Sequence, residues 1–415
     1  MKALFRLLAV LGLWMWSLPA LTVEIVVIDQ STGKPLKKAV LVANEILIPA
    51  TPGGTFSVAD IQPLRVSARA HGYQRTQVDV QLGVDEVLIS LAPIRPKAIY
   101  LSTYGIGSQA LREEALKLID RTELNALVID VKGDRGQTLF HTQAANANET
   151  ARKTLGRGTD TRSLIQALKS KGIYLIGRVV VFKDDPLSEL HPEWSVKDSS
   201  GKRWRDKEGL GWIDPFQTAA WSHSLGSAEE AADMGFDEIQ FDYLRFPDAR
   251  GLKFSQSNTA AARVNAINAF LDQARQRLQH RNVFISADVF GYVLWNTNDT
   301  DIGQQLETII ERVDYLSPML YPSGFTWGIP GHPDAAAAPF DVVNHSLRRA
   351  LERTGVDGVR LRPWLQAFRD YAFDKRAFGA TQIRQQIQAA ESLGTDGWML
   401  WNARNRYSSD GLSAP

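Results

Sequence analysis

A chain of 415 residues is long enough for one large domain and a small one, and 47 Lys and Arg against 46 Asp and Glu give no reason to expect nucleic acid or an anionic membrane surface as a partner. The absence of cysteine excludes disulfides, a thiol nucleophile and cysteine-ligated iron–sulfur clusters. Eleven tryptophans are many for this length, and their positions decide between packed core and stacking platform.

The first stretch, MKALFRLLAVLGLWMWSLPALT (residues 1–22), has a basic start at Lys2 and Arg6, an apolar run from Leu7 to Trp16, then Ser17, Pro19 and Ala20. That order matches a secretory signal peptide cut near Ala20, with an uncleaved anchor as the alternative. No later stretch reaches the roughly 20 apolar residues that cross a bilayer. The expectation is an exported protein, periplasmic or extracellular, with no membrane association after cleavage.

Residues 23–92 read as short alternating or β-branched runs, VEIVVID, AVLVA, TFSVAD, LRVSARA, QVDVQL and EVLISL, separated by turn signals such as STGKP and TPGG. They predict an all-β sandwich. Gly33 followed by Pro35, the Gly53-Gly54 pair before Phe56 and AHGY at 70–73 resemble the carboxypeptidase regulatory-like, transthyretin-type domain. His71 lies in a turn with no partner in view, so no chemistry is expected there. Residues 93–97, inside APIRPKA, have the prolines of a short stiff connector.

From residue 98 to about 410, eight strand-like runs alternate with helical patterns. The runs are AIYLSTY, ALVIDVKG, YLIGRVVVF, EIQFDYLRF, VFISADVFGY, YLSPMLYP, LRPWLQAF and GWMLWNAR. Between them, SQALREEALKLIDRT, TRSLIQALKSKG, NTAAARVNAINAFLDQARQRL and TQIRQQIQAAESLG carry apolar residues at helical spacing. Eight such units indicate a (β/α)8 TIM barrel. A doubly wound open sheet is the runner-up, but YGIGSQA lacks the glycine-rich phosphate fingerprint that fold offers after its first strand.

In a barrel the active site forms at the carboxyl ends of the strands. Those ends carry Tyr104, Asp130 with Lys132, Arg178, Asp242 with Arg245, Asp288, Tyr321, Trp364 with Gln366, and Trp401 with Asn402. Alternation along the fourth strand sets Glu238, Gln240 and Asp242 on one face and Ile239 and Phe241 on the other. On the fifth strand it pairs Ser286 with Asp288. Asp242 and Asp288 therefore rise together toward the mouth, and neighbouring strands lie about 4.8 Å apart. Two carboxyls so placed suit glycosidic bond cleavage, one protonating the leaving oxygen and one attacking or activating water. Asp130, Lys132, Arg178 and Arg245 are expected to support them, setting which carboxylate stays ionised. Trp204 and Trp212, in the long polar segment after the third strand, join Tyr104, Tyr321, Trp364, Gln366, Trp401 and Asn402 as expected sugar contacts.

The seven histidines never pair as HxH or HExxH, which argues against a catalytic metal. No metal and no cofactor is expected, and the Asp residues show no EF-hand spacing for calcium. His141, His191, His223, His332 and His345 sit in loops or helices without a GxSxG elbow, which argues against a serine triad. Lys132 as a Schiff-base lysine is a distant third reading.

IYLSTYGIGS, LNALVIDVKGDRG, GFDEIQFDYLRFP and ISADVFGY closely resemble the bacterial putative glycosyl hydrolase domain family, over about residues 98–405. HPEW, DSSGKRW and WIDP look like other polysaccharide-acting barrels. The resemblance implies an amylase-like barrel with Asp242 as the fourth-strand nucleophile and Asp288 as the fifth-strand acid. Amylase-type barrels carry Glu on the fifth strand where this chain has Asp, which shifts the donor by about one bond. Two readings follow. One is an exported hydrolase of a polysaccharide or oligosaccharide. The other is a carbohydrate-binding or envelope-associated protein that kept the barrel without turnover.

Overall fold

The computed structural model describes residues 22–59, 63–81, 83–140 and 160–415. The signal sequence with its cut near Ala20, and His141, lie outside the described residues. Among those described, no helix is long and apolar enough to cross a membrane.

The first unit is two sheets packed face to face. One has the order β4 (Phe56–Ala59), β1 (Thr22–Asp29), β7 (Glu86–Leu91). The other runs β3 (Ile46–Ile48), β2 (Val40–Ala43), β5 (Leu64–Arg69), β6 (Thr76–Val80). Alternation builds the core: Val23, Ile25 and Val27 of β1 are buried against Phe56, Val58, Val66 and Leu91. Strand β3 escaped the sequence reading because it is three residues long and exposed. Its turn uses Asn44 and Glu45 at φ +46° and +67°, a primed hairpin without the glycine that usually marks it.

The second unit is a closed barrel of eight parallel strands. In chain order they are β8 (Lys97–Leu101), β9 (Ala126–Lys132), β10 (Tyr174–Val180), β11 (Glu238–Asp242), β12 (Phe284–Phe290), β13 (Tyr315–Met319), β14 (Trp364–Gln366) and β15 (Trp398–Trp401). Outward residues such as Ile99, Leu127, Ile239, Phe241 and Ile285 pack beneath the helices. Inward ones, among them Ala98, Val128, Ile176, Phe284 and Met399, fill the interior. Nine helices lie among the described residues: α1 (Thr103–Gly107), α2 (Gln109–Ile119), α3 (Thr161–Ser170), α4 (Asp185–Leu190), α5 (Thr218–Met234), α6 (Ala260–Leu278), α7 (Leu306–Ile310), α8 (Pro339–Thr354) and α9 (Ala380–Glu391). Helix α6 shows the logic. Thr259 caps it by accepting from the Ala262 N–H at 3.2 Å, and Ile267, Phe270, Leu271, Ala274 and Leu278 form its buried stripe.

The sandwich docks on the floor of the barrel, where the strands begin. Arg75 donates to Asp237 at 3.1 Å and to the Gly235 and Phe236 carbonyls at 3.0 and 2.8 Å. Arg95 reaches Asp396 at 3.3 Å, and the Gly72 N–H donates to the Tyr315 hydroxyl at 3.1 Å. His71 has a partner after all: its Nε2 lies 3.7 Å from Asp314 and its ring meets Tyr315 edge-on. Sequence alone could not find that contact, because the partner is more than 240 residues away. The sandwich thus covers the end of the barrel opposite the active-site mouth.

Candidate active site

Arg178 is the hub of the mouth. Its Nη1 donates to Asp130 Oδ1 at 2.7 Å, and Nη2 to Asp134 Oδ1 at 2.8 Å. Nε and Nη2 both donate to Asp242 Oδ2, at 2.9 and 2.7 Å. Alternation brings them together, since Asp130, Arg178 and Asp242 are inward residues at the tops of adjacent strands β9, β10 and β11. The guanidinium lies 5.5 Å from the Tyr100 ring and 5.0 Å from that of Trp401, which stack on each other at 4.0 Å. One buried cation therefore faces three carboxyls.

Asp242 is held from both sides. Its Oδ1 accepts the Tyr243 N–H at 2.5 Å. Tyr243 has φ +48°, a left-handed backbone that costs a bulky residue roughly 1–2 kcal/mol. That twist ends β11 and fixes the carboxylate beneath it.

Asp288 is 1 % exposed, on the strand next to Asp242. The Trp364 indole N–H donates to its Oδ1 at 2.8 Å. Burial first, then the Asp242 charge beside it, push this carboxyl well above the usual carboxylate range, against the pull of Arg178 and of the Trp364 bond. Oδ2 has no hydrogen-bond partner among the described residues. That and the neighbouring Asp242 carboxyl both favour the protonated form of Asp288. Asp242 is the member bound to Arg178.

Asp130 is buried and its carboxyl rises to about 6, from burial foremost and the Asp134 charge, opposed by Arg178 and by the Tyr100 hydroxyl. That hydroxyl donates to Asp130 Oδ2 at 2.6 Å. The Tyr321 phenol, half-buried at the top of β13, is raised well above its ordinary value by burial and by the charges of Asp288 and Asp242, so it stays neutral.

The other sequence candidates divide. Trp401 sits in the cluster under Arg178, and Tyr104 is 75 % exposed at the rim, in α1. Trp364 is buried, and its indole is committed to Asp288. Lys132 is not at the mouth. A bulge aligns Arg178 with Asp130 but Val179 with Lys132, and turns the lysine into a buried ion pair with Asp184 at 2.9 Å and a bond to the Val180 carbonyl at 2.6 Å. Arg245 stacks over Trp212 and Tyr243, at 5.0 and 5.2 Å, and donates to the Phe246 carbonyl rather than to a carboxylate. Trp212 is buried with its N–H on Asp206 at 3.0 Å, and the half-buried Trp204 leans on it at 6.4 Å. Gln366 is fully buried and committed to Ser323, and Asn402 ties its own loop, through the Arg406 carbonyl, to the one after β14, through the Ala367 carbonyl. Strand-end position alone cannot separate a residue facing the mouth from one tying the next loop.

Three residues were missed. Tyr100 shares its strand face with Ala98, a signal passed over for the more distal Tyr104. Asp134 lies two residues beyond the end of β9. The backbone of Tyr243 has no signature in its residue type.

Residues 98–407 match the family described as "Putative glycosyl hydrolase domain". No curated protein matches the chain. Among solved structures, a hypothetical protein from Ruminiclostridium thermocellum ATCC 27405 is 34% identical, over 46% of this chain and 97% of that one, with a TM-score of 0.40. The PgaB (BpsB) glycoside hydrolase domain from Bordetella bronchiseptica is 14% identical, over 77% of this chain and 99% of that one, with a TM-score of 0.57, a likeness of fold. A chitinase from Chromobacterium violaceum ATCC 12472 is 14% identical, over 76% and 96%, with a TM-score of 0.46. With the family's pattern spanning the whole barrel, from β8 past β15, the chain belongs to this glycosyl hydrolase domain family.

Proposed function

We propose that this is an exported glycoside hydrolase that cleaves glycosidic bonds of a polysaccharide or oligosaccharide at the barrel mouth, with Asp288 as general acid and Asp242 as nucleophile or base. The observation that carries it is the asymmetry of the two acids. Asp242 has Arg178 on one oxygen, whereas Asp288 is buried, pairs with no cation among the described residues, and has its carboxyl raised well above the usual range, which favours the protonated form. In the forward step Asp288 gives that proton to the leaving oxygen, and Asp242 either attacks the anomeric carbon or takes a proton from water. Trp401 and Tyr321 offer apolar faces to the sugar ring. Membership of the family supports the reaction class. The basic and then apolar start of the sequence supports export, and the turn pattern of residues 23–92 supports a carboxypeptidase regulatory-like module.

Asp242 and Asp288 stand at the tops of adjacent strands β11 and β12, and their separation in a sugar complex sets the stereochemistry. A second reading is a glycan-binding protein without turnover, favoured by the Asp that stands on the fifth strand where amylase-type barrels carry Glu. Release of reducing ends from a polysaccharide panel by the mature protein decides between them. Hydrolysis that vanishes in Asp242→Asn supports the enzyme, near-normal hydrolysis by that folded variant contradicts the assignment, and glycan binding with no product over long incubation favours the second reading.

A further inference from the structure

Up the strands from Asp288 lies a small pit of about 50 Å3, walled by Phe290, Tyr292, Met319, Tyr321, Phe325 and Tyr371. That is room for roughly four water-sized spheres, too little for a sugar ring and enough for a substituent of three or four heavy atoms. The register places it: Asp288 pairs with Ser317 and Phe290 with Met319, so the pit opens two residues, roughly 7 Å, up the strands from the acid. Tyr321 joins the two places, since it lines the pit and its phenol is electrostatically coupled to the two acids.

The chemistry of the wall is selective. No charged side chain lines it, which disfavours a carboxylate, a sulfate or an ammonium group as occupant. Four apolar or aromatic walls are joined by the phenols of Tyr321 and Tyr371, both pushed up by burial and so neutral. The Tyr292 hydroxyl is already engaged, accepting the Trp327 N–H at 3.0 Å and donating to the Gly328 carbonyl at 3.1 Å. An apolar lining with neutral donors matches a methyl group next to a carbonyl.

The pit is also braced. Ser323 donates to Asp370 at 2.7 Å and receives the Gln366 amide at 2.8 Å, while Gln366 Oε1 accepts the Ser323 N–H at 3.0 Å. Asp370 in turn gathers the N–H groups of Ala372, Phe373 and Lys375, at 3.1, 2.9 and 2.9 Å. The turn bearing Tyr321 and the turn bearing Tyr371 are thereby tied together. Gly291 keeps the floor open, because a Cβ there would come within 2.6 Å of the Phe325 ring and 2.7 Å of the Met319 carbonyl.

We propose that this pit receives the acetyl group of an acetylated sugar, making acetylation a specificity determinant of the mouth. The proposal rests on the reading of that mouth as a glycan site. Gly324 provides the test, since a methyl added there lies 3.7 Å from the Tyr371 hydroxyl and 3.9 Å from Tyr321 Cβ, ordinary contacts that fill space without a clash.

Equilibrium binding of the full chain is measured with N-acetylglucosamine oligomers and their de-N-acetylated counterparts, and with O-acetylated and bare xylan oligomers. The expected result is at least tenfold tighter binding of the acetylated member of one pair, and the pair concerned identifies the acetyl linkage. Gly324→Ala should reduce that preference severalfold and Gly324→Val abolish it, with affinity for the bare oligomer within twofold of wild type. Should Gly324→Val not fold, the milder Ala variant carries the test. Equal affinity for all members in wild type, with hydrolysis intact, overturns the pit and leaves the hydrolase reading standing. Binding of none, with no hydrolysis of any polysaccharide, overturns both.

Discussion

The barrel holds a buried ion cluster at each end, and the two are built differently. At the floor every carboxylate meets a cation. Arg362 bonds Glu238 and, at 2.6 Å, Asp396, which Arg95 also approaches, while Asp237 has Lys169 and Arg75. Even the buried Asp314 is held below the usual range, where burial is outweighed by His71, Arg69 and Arg275. At the mouth, among the described residues, a single guanidinium serves Asp130, Asp134 and Asp242, and Asp288 beside them has none of its own. A matched cluster ties elements together. An unmatched one holds a proton ready to give away, at the expense of local stability.

That contrast is tested most forcefully by removing one carboxylate from each end. Asp288→Asn at the mouth should lower hydrolysis by roughly 10²- to 10⁴-fold, the worth of a general acid, while the urea midpoint stays near wild type because no paired cation is orphaned. Glu238→Gln at the floor should do the reverse. Arg362 loses one of its two buried carboxylate partners and keeps Asp396, so unfolding free energy falls by about 1.5–3 kcal/mol, and the rate per folded molecule stays within twofold. A floor variant that lost activity without losing stability would erase the distinction.

The pH dependence sharpens it. Asp130 goes from an ordinary 3.8 in the unfolded chain to about 6 in the fold. A carboxyl raised on folding stabilises the protein while protonated. Its contribution is fully present below pH 3.8 and is lost as pH climbs through 6. Wild type should therefore lose stability relative to Asp130→Asn between pH 4 and 7, by up to about 3 kcal/mol, in urea unfolding at stepped pH. A flat difference would mean Asp130 stays ionised throughout.

The smallest effect is expected at Trp364. Its N–H lowers the Asp288 carboxyl, so Trp364→Phe should raise it further and move the basic limb of the pH–rate profile upward, with a few-fold loss of rate. An unmoved limb would show that the indole only packs.

All eight barrel strands were legible because parallel barrel strands are continuous apolar runs, and alternation within them set Asp130, Arg178, Asp242 and Asp288 on one face. The loops were less legible. Gln366 and Asn402 stand at strand ends like the mouth residues, but hydrogen bonds to Ser323 and to the Ala367 carbonyl, distant in sequence, decide where they turn. Lys132 was misplaced by one extra residue, because a bulge reverses the face of whatever follows it. The polar segment after β10 reads as open loop, yet its Trp212 is core.

The central claim is that Asp288, and not an ionised carboxylate, is the proton donor poised beside Asp242. Infrared difference spectroscopy of wild type against Asp288→Asn at pH 7, with no substrate present, reads it directly. The account predicts a protonated-carboxyl carbonyl band in wild type that the variant lacks. A spectrum in which wild type loses only a carboxylate band would contradict it.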